Sequence, residues 1–263
     1  MEIKNFGIIE GQRDTDWLGG TIPFEERNPS GDWTTYLPPG EWQTNHIVDT
    51  MACVTFSALN SLEAQVKLLT GTHREFSDRF TAKMSETTNL GNYLYKVSDS
   101  LRKDGVVDDI VWPVPVGYTW EKYYEEIPQF IQVKGLEFLD EFQVAYEFVD
   151  FTRESLMHHL KHAPIQVVIP GHAVLAFFST LQVTKYFDSY EPFQKERTEG
   201  FTSALKIVLT RKTKMLTEKE VKQLQALEGY SDPGGVVFWT GKPLSEYLKA
   251  RLPDKIKTIS ESL

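Results

Sequence analysis

Apolar residues recur at intervals of three and four positions in the stretch that follows Thr50. This spacing predicts a helix that begins with Thr50 as its N-cap and extends to about Leu69. One face of the helix would pack on the protein core, and that face carries Phe56, Leu59, Leu62, Val66 and Leu69. The same criteria predict further helices over residues 92–103 (ended by Gly105), 120–131 and 152–161.

Runs rich in β-branched and aromatic residues follow in the second half of the chain. They lie at residues 136–149, 164–178, 182–187 and 203–210. Runs of this composition predict strands, which we expect to form an antiparallel sheet or barrel. Helices therefore dominate the first half of the chain and strands the second, which is typical of an α+β fold.

The pattern changes again after Thr210. A capping box at residues 217–220 opens a helix with an apolar face, and a second amphipathic helix spans residues 243–252. We therefore predict a small helical C-terminal appendage over residues 211–263. It would either dock on the main body or attach the protein to something larger, and the sequence leaves both alternatives open.

Composition and charge narrow the class of protein. The length of 263 residues suits one large domain or two lobes, and the net charge of −9 makes nucleic acid a poor partner. The N-terminus lacks the pattern of a signal peptide, and we expect no membrane span. The single cysteine excludes an internal disulfide. Together these features predict a protein that folds in a reducing compartment, the cytoplasm.

That cysteine, Cys53, falls in the first turn of the helix predicted from Thr50. The unpaired backbone N–H groups of a helix N-terminus create a positive potential, in which a thiol ionises more easily to the nucleophilic thiolate. The simpler interpretation is a small buried apolar side chain, because free cysteines are among the most buried residues. The choice depends on whether the chain supplies a base.

A candidate base and its orienting group lie far downstream. His172 stands between two strand-like apolar runs, and Asp188 follows the next β-rich run. Two adjacent antiparallel strands would place these two side chains next to each other. A lone histidine in an apolar strand is more often a core residue. A single Cys, a strand His and an acid on the next strand together predict a nucleophile, its base and the group that orients the base.

Three more histidines lie near the predicted helix 152–161. Among His158, His159 and His162, only the first and the last share a helix face. Without a nearby Cys or acid on that face they make a weak metal site, and we interpret them as solvated side chains. We predict neither a metal nor a cofactor.

Short motifs along the chain resemble those of papain-like cysteine peptidases. They begin with Asp32-Trp33, Gln43 and Cys53-Val-Thr-Phe-Ser-Ala-Leu-Asn-Ser-Leu-Glu63. They continue with Phe76-Ser-Asp78, Leu101-Arg-Lys-Asp-Gly-Val-Val107, Trp112-Pro113, His172-Ala-Val174 and Asp188-Ser-Tyr190. The resemblance covers roughly residues 32–210, and it depends on the shared order of the motifs.

The resemblance implies an α+β papain-like fold, with a helical N-terminal lobe, a β-rich C-terminal lobe and a cleft between them. It makes Cys53 the nucleophile, His172 the general base and acid, Asp188 the orienting residue and Gln43 a donor of the oxyanion hole. The implied reaction is hydrolysis of peptide or isopeptide bonds in a protein or peptide substrate through a thioester. Residues 1–31 would form an extended N-terminal arm that packs on the body of residues 32–210.

Three positions depart from the family pattern. Val54 replaces an aromatic residue after the nucleophile. Gln43 lies ten residues before Cys53, further than in the family, so the intervening loop must bulge for Gln43 to reach the site. Its alternative interpretation is a surface glutamine. Asp188 replaces an asparagine, and a carboxylate would hold the imidazolium more strongly, which predicts a higher pH optimum.

In its lack of disulfides and its small C-terminal appendage, the chain resembles papain-like proteins encoded by bacteriophages and bacteria. This resemblance allows a virion-associated role, with the appendage bound to phage structural proteins. Two alternatives stay open. One is a structural or attachment protein that keeps the fold with little activity. The other is a different thiol acyl-transfer enzyme, such as a transglutaminase-like or amidase-like protein.

Overall fold

The computed structural model describes residues 5–13, 18–45 and 47–212. The α-helices in this part of the chain are α1 (Cys53–Thr70), α2 (Asp78–Met84), α3 (Leu94–Asp104), α4 (Trp120–Tyr123), α5 (Gln129–Glu141) and α6 (Arg153–Leu160). The strands are β1 (Phe142–Phe148), β2 (Ile165–Ile169), β3 (His172–Ser179), β4 (Thr184–Phe187), β5 (Gln194–Arg197) and β6 (Ser203–Arg211). None of the described helices is both long and apolar enough to cross a membrane. The predicted helices of the C-terminal appendage lie outside the described residues.

The strands form one sheet in the order β1-β6-β2-β3-β4-β5. Strand β2 pairs antiparallel with β6 and β3, and β4 pairs antiparallel with β3 and β5. Five of the helices precede this sheet in the chain, and only α6 lies between its strands. The order of helices and strands confirms the predicted α+β class.

Helix α1 is the centre of the core. Every residue from Cys53 to Val66 is buried, including polar ones, so the prediction of a single core-facing stripe was too narrow. A helix that is buried on all sides belongs to the interior of a large core. The predicted cap was also wrong, since Ala52 is the N-cap and the hydroxyl of Thr50 donates instead to the carbonyl of Gln43 at 2.8 Å.

Two glutamines fasten α1 to the sheet. The side chain of Gln65 donates to the carbonyl of Ile207 at 3.0 Å and accepts from the N–H of Leu209 at 2.9 Å. On the other end of the helix, Gln166 of β2 donates to the carbonyl of Val54 at 2.9 Å. These bonds satisfy buried polar groups that would otherwise destabilise the fold, and they fix the position of the helix N-terminus relative to the sheet.

The middle of the chain differs from the predicted pattern. The helix predicted over residues 120–131 is interrupted, since only residues 120–123 (α4) and 129–131 (the start of α5) are helical. Residues 136–141, predicted as strand, also belong to α5. Helix α5 buries Ile131, Gly135 and Phe138, which have i, i+4 and i+7 spacing. The aromatic and β-branched content of residues 136–149 obscured this period, and the strand begins only at Phe142.

The histidine cluster is only partly solvated. His158 is exposed, but His162 is 1% exposed and its Nδ1 lies 3.5 Å from Nζ of Lys206. Lys206 is buried and pairs with the buried carboxylate of Glu147 at 2.6 Å. Burial, together with the positive charge of Lys206, lowers the pKa of His162 to about 4. No group of three or more His, Cys, Asp or Glu within residues 5–13, 18–45 and 47–212 could hold a metal ion.

We expect Gln65→Leu to lower the free energy of unfolding by about 2–4 kcal/mol, because it leaves a carbonyl and an N–H of β6 buried without partners. Urea denaturation monitored by circular dichroism measures the change. The matched control is Gln143→Leu, at an exposed position of β1, which should stay within about 0.5 kcal/mol of wild type. Equal stability of the two variants would contradict the role given to Gln65.

The low pKa of His162 predicts a loss of stability in mild acid. As pH falls below 6.5, the ordinary value, the unfolded histidine binds a proton before the folded one does. The contribution of His162 is therefore complete above pH 6.5 and is lost as pH falls toward about 4. Urea denaturation at pH 7 and pH 5 should show a smaller loss for His162→Gln than for wild type. An unchanged loss would contradict this explanation.

Candidate active site

Cys53 is the first residue of α1, so its backbone N–H is not used by the hydrogen bonds of the helix. The side chain is fully buried. Its sulfur accepts a hydrogen bond from the N–H of Ala173, the second residue of β3, at 3.4 Å. The first turn of α1 therefore meets the beginning of β3, and the predicted nucleophile lies beside the segment that carries His172.

The structure brings His172 and Asp188 together. His172 begins β3, Asp188 follows the end of β4, and the two strands pair antiparallel. Nε2 of His172 lies 2.7 Å from Oδ1 of Asp188. An ionised carboxylate only accepts hydrogen bonds, so Nε2 carries the proton and Nδ1 is left with a free lone pair in the neutral ring. Nδ1 is buried and has no hydrogen-bond partner.

Asp188 has a second partner that the sequence analysis did not identify. Nζ of Lys195, on β5, lies 2.7 Å from Oδ2 of Asp188. Burial alone would raise the pKa of Asp188, but the hydrogen bond from His172 and the contact with Lys195 hold it below its ordinary value. Asp188 is therefore a carboxylate at neutral pH.

Gln43 is fully buried, so the alternative of a surface glutamine was wrong. The loop after it closes through a bridge between Thr44 and Asp49, which provides the expected bulge. The Oε1 atom of Gln43 accepts from the hydroxyl of Ser189 at 2.7 Å, next to Asp188. Its Nε2 donates to Asp49 at 2.9 Å and to the carbonyl of Phe6 at 3.0 Å.

The carbonyl of Phe6 belongs to a covering segment, Phe6–Ile9, that lies across the site. The N–H of Phe6 donates to the carbonyl of Gly171 at 2.7 Å, and its ring centroid lies 5.0 Å from that of His172. At the other end of the segment, the N–H of Ile9 donates to the carbonyl of Asn92 at 2.8 Å. The segment thus bonds through its backbone to the turn before β3 and to the loop before α3. The sequence analysis did not predict this position.

Two glycines allow this close approach. Gly7 has a φ of +113°, and a Cβ there would lie 2.0 Å from the carbonyl oxygen of Met51, two residues before Cys53. Gly91 has a φ of +100°, and a Cβ there would lie 2.0 Å from the carbonyl oxygen of Gly7. Side chains are excluded at both positions, because no real Cβ contact is so short and because L-residues avoid such φ values.

Burial raises the pKa of the Cys53 thiol to about 12. The N–H groups of Ala173 and Val54 lower it, but the carboxylates of Asp49 and Asp188 raise it. The expectation that the helix N-terminus eases ionisation is therefore not met in this structure. Loss of solvent outweighs the field of the helix, and the thiol is neutral.

Comparison with solved structures gives many matches of low identity. Xylellain, a cysteine protease from Xylella fastidiosa, matches with a TM-score of 0.56 and 14% identity over 79% of this chain and 98% of that one. Digestive procathepsin L 3 of Tenebrio molitor matches with a TM-score of 0.52 and 12% identity over 79% and 75%. The proform of the ragweed pollen protease Amb a 11 gives 0.49 and 15% over 67% and 65%.

No protein-family model matches the chain, and no curated protein sequence matches it. The structural matches to xylellain and procathepsin L 3 nevertheless show that the chain has the papain-like fold, with its helical part and its sheet. The predicted fold is confirmed. At 12–14% identity the likeness concerns the fold, so the roles of Cys53, His172, Asp188 and Gln43 stay predictions.

We expect Phe6→Ala to expose the thiol. The substitution removes the phenyl ring that packs on His172 and so weakens the attachment of the covering segment. The Cys53 thiol then becomes accessible to solvent, and its pKa falls. Alkylation of Cys53 by iodoacetamide at pH 7.5 should become about tenfold faster, since the thiolate is the reacting form. The rate is measured by mass spectrometry. Phe24→Ala, at a partly exposed phenylalanine near His158, is the control. Equal rates in the two variants would contradict the covering role.

Proposed function

We propose that this chain is a cysteine peptidase that hydrolyses peptide bonds through an acyl-enzyme on Cys53. The observation that carries the proposal is the backbone of Phe6 in the cleft. Its carbonyl accepts from Gln43 and its N–H donates to the carbonyl of Gly171, and its ring packs against the imidazole of His172. A cleft that satisfies both polar groups of one peptide residue next to a Cys–His pair is built to recognise polypeptide.

The first step is proton transfer from the thiol. The Nε2–H of His172 donates a hydrogen bond to Asp188, so the lone pair of Nδ1 is available to the Cys53 thiol. The thiolate then attacks the substrate carbonyl carbon, and the C=O π electrons move to the oxygen. The imidazolium donates its proton to the leaving amine as the C–N bond breaks.

The oxyanion formed in this step has two donors. Gln43 Nε2 already holds a carbonyl oxygen, that of Phe6, and the N–H of Cys53 is free of helix bonds. Removing one such donor costs about 2.7–4 kcal/mol of transition-state stabilisation. Water then attacks the thioester with His172 as general base, which releases the acid and restores the thiol. The covering segment must leave before a substrate enters.

The finer assignment rests on the sequence. The single cysteine and the motif pattern support a disulfide-free papain-like protein of the bacteriophage or bacterial type, active in the cytoplasm or in a virion. Isopeptide bonds use the same acyl-transfer chemistry as peptide bonds, so they belong to the proposed substrate class. The proposal also divides the chain into an N-terminal arm (residues 1–31), a peptidase domain (residues 32–210) and a C-terminal appendage (residues 211–263).

Hydrolysis of a fluorogenic peptide library and of an isopeptide-linked substrate tests the proposal. We expect activity in the full chain that rises in Phe6→Ala, where the cleft is less covered. In the Phe6→Ala background, Cys53→Ala should abolish turnover, and Gln43→Ala should lower kcat by about 10²–10³-fold. His73→Ala, at an exposed position away from the cleft, is the matched control and should keep full activity.

Two results would overturn the proposal. Absence of hydrolysis in untreated, folded Phe6→Ala, when a separate sample shows that its Cys53 reacts with iodoacetamide, would favour a structural protein on the same fold. Transfer of the acyl group to an added amine in place of water would favour a transglutaminase-like enzyme. Mass spectrometry of the products separates the acid from the amide.

A further inference from the structure

The two oxygens of Asp188 are divided between two partners. Oδ1 lies 2.7 Å from Nε2 of His172, and Oδ2 lies 2.7 Å from Nζ of Lys195. The Asp188 side chain is 5% exposed and that of Lys195 is 25% exposed. A carboxylate held at both oxygens has little rotational freedom, so its orientation toward the imidazole is set by Lys195 as well as by the backbone.

The strand register places Lys195 at this point. Tyr186 of β4 pairs with Lys195 of β5, and Asp188 lies two residues beyond Tyr186. Residues two apart in an extended chain share a face of the sheet. Lys195 and Asp188 are therefore diagonal neighbours on one face, within reach of a long side chain. The N–H of Asp188 also donates to the carbonyl of Phe193 at 2.8 Å, which closes the turn between β4 and β5.

The charge of Asp188 creates a problem for a base. A buried carboxylate without a cation beside it would stabilise the imidazolium form of His172. The imidazolium would then give up its proton to the leaving amine less readily. The ammonium of Lys195 gives the Asp188–Lys195 pair a net charge of zero. In this respect the pair is equivalent to a neutral amide side chain at the position of Asp188. The upward shift of the pH optimum expected from the acid alone did not take this cation into account.

We propose that Lys195 is a positioning and charge-balancing residue of the site, which fixes the Asp188 carboxylate against His172 and offsets its negative charge. The inference rests on the proposed function for its catalytic meaning, although its geometry does not. Other titratable or charged groups around the pair are Cys53, Asp49, Tyr186, Tyr190 and Arg197, the last of which pairs with Glu199. Asp49 accepts a hydrogen bond from the Tyr190 hydroxyl and adds a second negative charge, which increases the need for a cation.

The test is the titration of His172 in the full chain, followed by NMR of ¹⁵N-labelled histidine, which needs no substrate. Lys195→Met removes the ammonium and keeps a similar length. We expect the titration midpoint of His172 to move up by about 0.5–1 pH unit, since the remaining carboxylate favours the imidazolium. Lys195→Arg restores the charge and should return the midpoint toward wild type. Lys185→Met, which breaks a surface pair with Glu196 on the same hairpin, should leave it unchanged.

A double-mutant cycle with Asp188→Asn separates positioning from a general charge effect. The asparagine amide at position 188 carries no charge to hold the ammonium group of Lys195. The change in the His172 titration midpoint caused by Lys195→Met should therefore be smaller in the Asp188→Asn background. An equal shift in both backgrounds, or no shift in Lys195→Met alone, would overturn the inference. If peptide is hydrolysed, the alkaline limb of kcat/KM should move up with the same variant. If no peptide is hydrolysed but His172 shifts as expected, the proposed function fails and the role of Lys195 stands.

Discussion

The contact between the first turn of α1 and the start of β3 is the constraint on which the site depends. One hydrogen bond, from the N–H of Ala173 to the sulfur of Cys53, joins a helix residue to a strand residue. That contact holds because α1 is buried on all sides and its polar side chains bond to the sheet. A shift of the helix by one residue would rotate the thiol away from the imidazole by about 100°.

The candidate site residues that a local sequence pattern marks are the ones that could be predicted from the sequence. Cys53 follows from helix signals, and His172 with Asp188 follows from two adjacent strands. Lys195 and Phe6 were missed because their contacts depend on hairpin register and on the path of the N-terminal arm, which periodicity does not encode. Residues 136–141 were misassigned because packing of α5, not β propensity, decides their state.

Burial has opposite effects on the two halves of the site. Burial strengthens the attraction of the Asp188 carboxylate for His172 and for Lys195, since charges interact more strongly away from water. The same burial disfavours a thiolate, and Cys53 pairs only with weak donors while it is covered. In this structure the imidazole of His172 is held in place by Asp188, while the Cys53 thiol is buried and neutral.

The covering segment belongs to the same chain as the cleft, and this has a consequence for any competitor. A tethered ligand acts at an effective concentration on the order of millimolar, which dilution does not reduce. A peptide in solution therefore competes with this segment whatever the protein concentration, and its apparent affinity is its intrinsic affinity multiplied by the fraction of molecules that are open. Because the covering segment needs glycine at residue 7, a methyl group added there would shift the equilibrium toward the open state.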